Sequence, residues 1–193
     1  MVARLNKFLG TGMYSVTEAA LYARIAPAMM QRWLFGTRRK RAVVDPQYDR
    51  HERVVGFLDL IQTVAIRELR IQKNIPLPKF RQAIRTAKDK YGIAYPFAYK
   101  HATFFHVVNK EIVIKIGDDD FVEASGKHRG QPLLPFVEMY LNDLDWGSDG
   151  FASAYTIFRG ENDTPVVLNP QLRFGEPLLP SGYTARVTVH KLV

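Results

Sequence analysis

The sequence predicts an α+β protein in which a helical N-terminal half precedes a smaller β-rich region. Apolar residues recur at three- and four-residue steps up to about residue 98, and from His101 they alternate with polar residues instead. Proline and glycine punctuate the chain from Val166 onward, which predicts an extended tail. We therefore divide the chain into a helical domain (residues 1–98), a small α+β domain (residues 99–165) and a tail (residues 166–193).

Two short helices are predicted near the start of the chain. The first covers residues 15–23, because the hydroxyl of Ser15 or Thr17 can accept hydrogen bonds from the first free amides of a helix. The second runs from Pro27, which suits the first helical position, to about Phe35, and a glycine follows as its C-cap. Two short helices separated by a tight turn are typical of a helix-turn-helix DNA-binding motif.

Polar and basic side chains on the outward face of the second helix, and directly after it, form a candidate DNA site. Gln and Arg can hydrogen-bond base edges in the major groove, and an alanine there can contact a thymine methyl group. The four cations at residues 38–41 can bind phosphates beside that groove, whereas a solvated loop is the alternative interpretation. The candidate DNA-binding residues are Thr17, Ala28, Gln31, Arg32, Arg38, Arg39, Lys40 and Arg41.

Two longer amphipathic helices follow. Apolar residues from Val54 to Leu69 fall at three- and four-residue steps, and this stripe predicts a helix that ends before Asn74. The next helix opens at Leu77 and ends at Gly92, with its basic residues away from the apolar face.

The change to a period of two after His101 predicts the β-rich region. A hairpin is expected over residues 105–116, and an acidic helix is expected between Pro135 and Leu144. Further strands are expected at residues 121–124, 152–158 and 166–168.

The charge of the chain is divided unevenly. The net charge is +8, but residues 1–100 carry 19 basic and 7 acidic side chains, whereas residues 101–193 carry 8 and 12. The first part therefore has a net charge of +12 and the second −4. A strongly basic region suits a polyanion, most often nucleic acid, and an acidic region is not repelled by a basic protein.

Several classes of protein are excluded by what the sequence lacks. It contains no cysteine, which excludes a disulfide framework, a thiolate zinc site and a thiol nucleophile. No two of the five histidines stand three or four residues apart, and the common phosphate-loop, dinucleotide, nucleophile-elbow and metalloprotease motifs do not occur. We therefore expect no enzymatic activity, no metal and no cofactor. No stretch approaches the ~18 uninterrupted apolar residues of a membrane span, so a cytoplasmic protein is expected.

Several short motifs of the helical half occur in a distinctive order: Tyr14-Ser15-Val16-Thr17-Glu18-Ala19-Ala20, then Ile25-Ala26-Pro27, then Arg32-Trp33-Leu34 with Gly36. This order resembles that of MerR-type winged-helix DNA-binding domains. Further along, Phe57-Leu58-Asp59-Leu60 and Phe80-Arg81-Gln82-Ala83-Ile84 are similar to the second helix pair of that family. The resemblance implies a winged-helix, MerR-like fold for residues 1–98.

A second resemblance lies near the C-terminus. The run Leu168-Asn169-Pro170-Gln171-Leu172-Arg173-Phe174-Gly175-Glu176-Pro177 is similar to the Asp-Pro…Phe-Gly-x-Pro signature of VapB-like antitoxins. This resemblance implies a type II antitoxin that represses its own operon and neutralises a PIN-domain ribonuclease toxin. The family's later proline is missing from residues 181–187, so the docking segment, residues 166–193, is expected to be shortened. The toxin-binding residues implied are Arg173, Phe174, Glu176, Pro177 and Arg186, of which either arginine can pair with the toxin's metal-binding carboxylates.

Repressors with a helix-turn-helix usually dimerise, so a homodimer on double-stranded operator DNA is expected, with residues 99–165 as a candidate dimerisation region. Three alternatives stay open. The first is a MerR-like regulator that senses a small molecule; the second is an architectural protein that binds DNA without sequence preference; the third is an adaptor for an acidic protein. The candidate ligand-pocket residues of the first alternative are Phe104, Phe105, Trp146 and Tyr155.

Overall fold

A short two-stranded sheet frames the first two helices. The computed structural model describes residues 11–107, 111–116, 122–123, 134–135 and 142–182. Strand β1 (Tyr14–Ser15) pairs antiparallel with β2 (Val54–Val55), and between them lie α1 (Val16–Tyr22) and α2 (Pro27–Phe35). Both helices predicted for this region are confirmed, and the predicted bounds of α2 coincide with those observed.

Local chemistry explains where these two helices begin and end. The Ser15 hydroxyl accepts a hydrogen bond from the Glu18 amide at 3.2 Å, and the Glu18 carboxylate accepts one from the Ser15 amide at 2.8 Å. Pro27 is the first residue of α2, and Gly36 follows as its C-cap with φ +72°. The predicted inward side chains of α2 are buried: Met30, Trp33 and Leu34.

Two long helices follow, and the start of the first differs from the prediction. Helix α3 (Phe57–Lys73) ends at a left-handed Asn74, and α4 (Leu77–Tyr91) ends at a left-handed Gly92, both as predicted. Val54, expected to begin the helical stripe, instead belongs to β2 and lies opposite Ser15. Its apolar side chain suits either element, and pairing with β1 decides between them because it satisfies the backbone hydrogen bonds of both strands.

Two four-stranded antiparallel sheets form the β-rich part of the described chain. The first sheet has the order β5-β4-β3-β6, and its central hairpin confirms the one predicted from sequence. The second has the order β10-β9-β8-β7. The strands are β3 (Ala102–Val107), β4 (Glu111–Ile116), β5 (Val122–Glu123), β6 (Leu134–Pro135), β7 (Leu144–Trp146), β8 (Ala152–Arg159), β9 (Pro165–Leu168) and β10 (Pro177–Leu178).

Two expectations for the β-rich part are wrong at the residues that the structure describes. Both ends of the predicted acidic helix are extended, because Pro135 pairs with Phe105 and Leu144 pairs with Tyr155; residues 136–141 lie outside the described part. The strand expected at residues 166–168 is confirmed as part of β9, but the extended tail expected from Val166 onward is wrong as far as residue 182, because a short 3-10 helix (Arg173–Gly175) and β10 follow in that segment. Alternate side chains of β9, Val166 and Leu168, are buried, and this burial holds the segment in the sheet.

One cluster of buried apolar side chains runs through the helices and the second sheet. It includes Leu34 of α2, Phe80 of α4, Ile157 of β8 and Leu168 of β9. The predicted domain boundary at residue 98 falls at the end of a short 3-10 helix (Pro96–Ala98), and all three residues of that helix are buried. The division into three domains stays a prediction. Among the described helices, none has both the length and the apolar character required to cross a bilayer.

Candidate nucleic-acid interface

The outward face of α2 carries the side chains predicted to read base edges. Ala28, Gln31 and Arg32 are all exposed, while the opposite face of the helix is buried in the core. Thr17, on the first turn of α1, is exposed as well. Burial of one face by Met30, Trp33 and Leu34 fixes which side chains of α2 remain accessible to a ligand.

A tight turn follows α2 and presents the predicted phosphate-binding cations; we call residues 37–41 the basic turn. The Thr37 amide donates to the Lys40 carbonyl at 2.8 Å, and the Lys40 amide donates to the Thr37 carbonyl at 3.3 Å. The Thr37 hydroxyl also accepts hydrogen bonds from the amides of Arg39 and Lys40, at 3.3 and 3.0 Å. These bonds place Arg38 and Arg39 at the tip of the turn, where both are exposed.

Gly36 permits this close turn. A Cβ atom at this position would stand 2.8 Å from the Lys40 carbonyl oxygen and 2.9 Å from the Ala42 amide nitrogen. Its φ of +72° also lies in the left-handed region, which favours glycine. On the returning side of the turn, the Val43 and Val44 amides donate to the Trp33 carbonyl at 2.6 and 3.2 Å, which ties the loop back to α2.

A buried carboxylate holds the same loop to the start of α3. Asp59 is fully buried, and its two oxygens accept the Gln47 amide at 3.1 and 3.0 Å and the Gly56 amide at 2.9 Å. In return, the Gln47 side-chain oxygen accepts the Leu58 amide at 2.9 Å. Burial raises the pKa of Asp59 to about 7, although the two amide hydrogen bonds oppose the shift, and the charge of Asp45 adds to it.

The fold brings cations that sequence reasoning missed beside the basic turn. A groove of about 770 Å³ lies between the turn and α4, and the four predicted cations line one side of it. A second groove, of about 800 Å³, shares Arg39, Lys40 and Arg41 with the first and includes Arg70. The cations that the first groove adds to the predicted set are Arg50, Arg81, Arg85 and Lys88.

The carboxylate of Asp45 partly neutralises the positive charges of two of these added cations. Arg50 contacts Asp45 at 2.9 Å, and Lys88 lies 3.9 Å from the same carboxylate. The Arg81 Nε donates to the Ala42 carbonyl at 2.9 Å, which links α4 to the basic turn. Arg81, Arg85 and Lys88 stand at four- and three-residue steps, so the sequence shows that they share a face of α4. That this face borders the basic turn is a consequence of the tertiary fold alone.

The predicted toxin-binding residues are divided between the surface and the second sheet. Arg173, Phe174 and Glu176 are exposed, whereas Pro177 is buried in β10 opposite Leu168. Pro177 therefore contributes to the sheet, and its side chain is not at the surface. Arg186 lies outside the described residues.

Phe174 is one of three exposed apolar side chains in this region, and the other two were not predicted; we call Met13, Leu172 and Phe174 the apolar patch. Met13, Leu172 and Phe174 are 47%, 52% and 43% exposed, and the Met13 amide donates to the Phe174 carbonyl at 2.9 Å. Arg173 and Phe174 both have left-handed φ values, +45° and +56°. Non-glycine residues adopt this conformation at a cost, so the surrounding structure holds Phe174 in its exposed position.

The residues proposed for a ligand pocket lie in different strands. Tyr155 is buried in β8, Trp146 in β7 is partly buried against the core, and Phe104 and Phe105 belong to β3 of the other sheet. Burial raises the pKa of the Tyr155 hydroxyl, which fits a core position.

Comparison with known proteins shows the fold only. No family model matches the chain, and no curated protein matches it at a significant level. Among solved structures, the chain is similar to the crystal structure of Rv2018 from Mycobacterium tuberculosis, with 16% sequence identity and a TM-score of 0.61. The match covers 91% of this chain and 84% of that chain. The two proteins therefore share an α+β architecture over most of their lengths.

Proposed function

We propose that this chain is a repressor that binds operator DNA through α2 and the basic turn and serves as the antitoxin of a type II toxin–antitoxin pair. The observation that carries the DNA-binding part is the exposed α2 face, with Gln31 and Arg32, followed at once by four exposed cations. A protein that binds duplex DNA with sequence specificity needs groups that hydrogen-bond to base edges beside groups that bind phosphates.

In this proposal α2 lies in the major groove. Arg32 donates two hydrogen bonds to a guanine edge, Gln31 pairs with an adenine edge, and Ala28 contacts a thymine methyl group. Thr17 and the cations of the basic turn bind phosphates, which fixes the register of the helix but carries no sequence information. A homodimer would place two copies of α2 one turn of DNA apart.

We also propose that the segment from β1 to α4 forms a MerR-like winged-helix domain. In its support, α1 and α2 are followed by a hydrogen-bonded turn, then by β2 paired with β1, then by a second helix pair. The basic turn takes the place of the wing. Its backbone hydrogen bonds, and those of Val43 and Val44 to the Trp33 carbonyl, keep the arginines at its tip at a defined distance from α2.

The antitoxin part of the proposal rests on the resemblance of residues 168–177 to VapB-like proteins. The partner is then a PIN-domain ribonuclease, and the exposed side chains of Arg173, Phe174 and Glu176 are its docking residues. Two features support the choice of this surface. Phe174 is an exposed aromatic side chain held by a strained backbone, and residues 101–193 carry a net charge of −4.

Co-purification and a gel shift test both parts of the function. The tagged chain is isolated from its native cell, and the proteins that co-purify with it are identified by mass spectrometry. We expect a small PIN-domain ribonuclease, and we expect the pair to retard the DNA upstream of the coding sequence more strongly than the chain alone. Recovery without any such ribonuclease contradicts the antitoxin part. Equal retardation of all duplexes instead identifies a non-specific architectural protein.

A further inference from the structure

We propose that α4 is a second DNA-contacting element, in which Arg81 and Arg85 bind a phosphodiester strand lying in the groove beside the basic turn. The inference rests on the proposed DNA-binding function and extends it to a helix that sequence reasoning left out. Its first support is geometric, because both grooves that flank the basic turn are lined by Arg81 and Arg85. A DNA strand that contacts the basic turn from either groove therefore also contacts these two arginines.

Arg81 is fixed in position relative to the basic turn. Its Nε donates to the Ala42 carbonyl at 2.9 Å, and Ala42 directly follows the last cation of the turn. A guanidinium has five N–H donors, so one such bond orients the group and leaves its terminal nitrogens able to donate to a phosphate. The side chain is half-buried, which further restricts its orientation.

Arg85 contributes an exposed positive charge to the first groove, which the carboxylates of Asp45 and Asp89 also line. It lies one helical turn after Arg81, a rise of about 6 Å along the axis, and its side chain is exposed. Within the described residues it forms neither a hydrogen bond nor an ion pair, whereas Lys88 and Arg50 share the carboxylate of Asp45. Of the cations on this face of α4, Arg85 is therefore the one that we expect a bound phosphate to stabilise most.

This assignment predicts more phosphate contacts than the basic turn alone provides. Each phosphate neutralised by a cation releases counterions from the DNA, so the logarithm of the binding constant falls with the logarithm of salt concentration by about 0.9 per contact. Because a phosphate carries no base identity, loss of an α4 contact weakens binding to every sequence alike.

The test compares Arg85→Ala with Lys90→Ala in the full chain. Both variants remove one exposed cation from α4, but Lys90 lines neither groove. Binding to a mixed-sequence duplex is measured by fluorescence anisotropy over a range of salt concentrations, with Arg39→Ala as a reference for the basic turn. Thermal unfolding of each variant confirms that the fold is retained.

We expect Arg85→Ala to weaken binding severalfold and to reduce the salt slope by about 0.9, and we expect Arg85→Lys to restore the slope because it keeps the charge. Lys90→Ala should leave the slope unchanged. If Arg39→Ala reduces the slope while Arg85→Ala matches Lys90→Ala, the α4 contact is wrong and the proposed function stands. If the unaltered chain binds no duplex at all, the proposed function and this inference fail together.

Discussion

A single carboxylate, Asp59, holds two backbone amides where the loop carrying the basic turn meets α3. It is fully buried, and burial raises its pKa to about 7 from an ordinary value of 3.8. The folded chain therefore keeps this proton at pH values where the unfolded chain has lost it. Such a group contributes stability that is fully present below about pH 4 and is lost as the pH rises through about 7.

Asp59→Asn should remove this dependence. We expect the free energy of unfolding of the unaltered chain to fall, relative to that of the variant, as the pH rises from about 4 to about 7, and to change no further above that range. Urea unfolding at a series of pH values measures the difference. Asp89→Asn, which removes an exposed carboxylate, is the control. A parallel pair of profiles for Asp59→Asn and the unaltered chain would contradict the prediction.

Gly175 is required both for its backbone conformation and for its lack of a side chain. Its φ is +89°, and a Cβ atom there would stand 2.2 Å from the Tyr14 hydroxyl oxygen. Gly175→Ala should therefore destabilise the fold by about 2–4 kcal/mol, measured by urea unfolding. Gly92→Ala separates the two causes, because Gly92 has φ +70° but open space around it. We expect about 1 kcal/mol for that variant, and equal losses for the two would show that Tyr14 moves aside freely.

At the scale of elements, α2 and the basic turn have separate tasks in the proposed function. Gln31→Ala should cost about 1–3 kcal/mol of discrimination at one base pair of the operator and little on other duplexes. Arg39→Ala should weaken binding to all duplexes and lower the salt slope by about one unit. Affinities measured by fluorescence anisotropy on operator variants at several salt concentrations distinguish the effect of Gln31→Ala from that of Arg39→Ala. Gln82→Ala, an exposed glutamine on α4 outside both grooves, should change neither quantity.

Helix α1 depends on the reciprocal hydrogen bonds between Ser15 and Glu18. Ser15→Ala leaves the Glu18 amide without its acceptor and should destabilise the fold by about 1 kcal/mol. Ser15→Thr keeps the hydroxyl and should restore most of that loss. Chemical denaturation of the three proteins measures the difference. Equal stability of the alanine and threonine variants would mean that the cap contributes nothing in this context.

Elements with strong local signals were predicted well, and those with weak signals were not. Pro27 and Gly36 mark the two ends of α2, and Asn74 and Gly92 terminate α3 and α4, because these residue types favour the backbone conformation required there. Leu144 carries no such signal. Its spacing from earlier apolar residues suits a helix, but it lies in β7 because pairing with Tyr155 buries it against β8.

At the scale of the whole molecule, two hydrogen bonds between described residues link the region of β1, α1 and α2 to the second sheet and to the 3-10 helix between its strands β9 and β10. The Arg24 guanidinium, in the turn between α1 and α2, reaches the Ile157 carbonyl of β8 at 3.4 Å. The Met13 amide, just before β1, donates to the Phe174 carbonyl at 2.9 Å. Arg67 of α3 supports the same turn through the Ala23 carbonyl at 2.8 Å. The position of α2 therefore depends on residues more than a hundred positions away in the chain.

These contacts and the shared buried cluster predict one cooperative unfolding transition. The two tryptophans report on different parts, Trp33 on α2 and Trp146 on β7. In each single-tryptophan variant, Trp33→Phe and Trp146→Phe, the midpoint of the remaining tryptophan's fluorescence should therefore coincide with the midpoint of the helical circular-dichroism signal. Leu168→Ala, which empties a fully buried position in β9, should lower both midpoints together, at a cost of about 3 kcal/mol. Separate midpoints would instead support independent domains divided near residue 98.

The sequence by itself determined the helical half, the central β-hairpin, and which face of α2 carries Gln31 and Arg32, because periodicity and capping act over a few residues. It also showed that cations cluster before residue 100. Only the tertiary structure decided that α4 lies beside the basic turn, that Pro177 is buried in a sheet, and that Met13 joins the patch around Phe174. These are contacts between residues distant in the chain, and burial of apolar surface and pairing of strands select them, which local spacing does not encode.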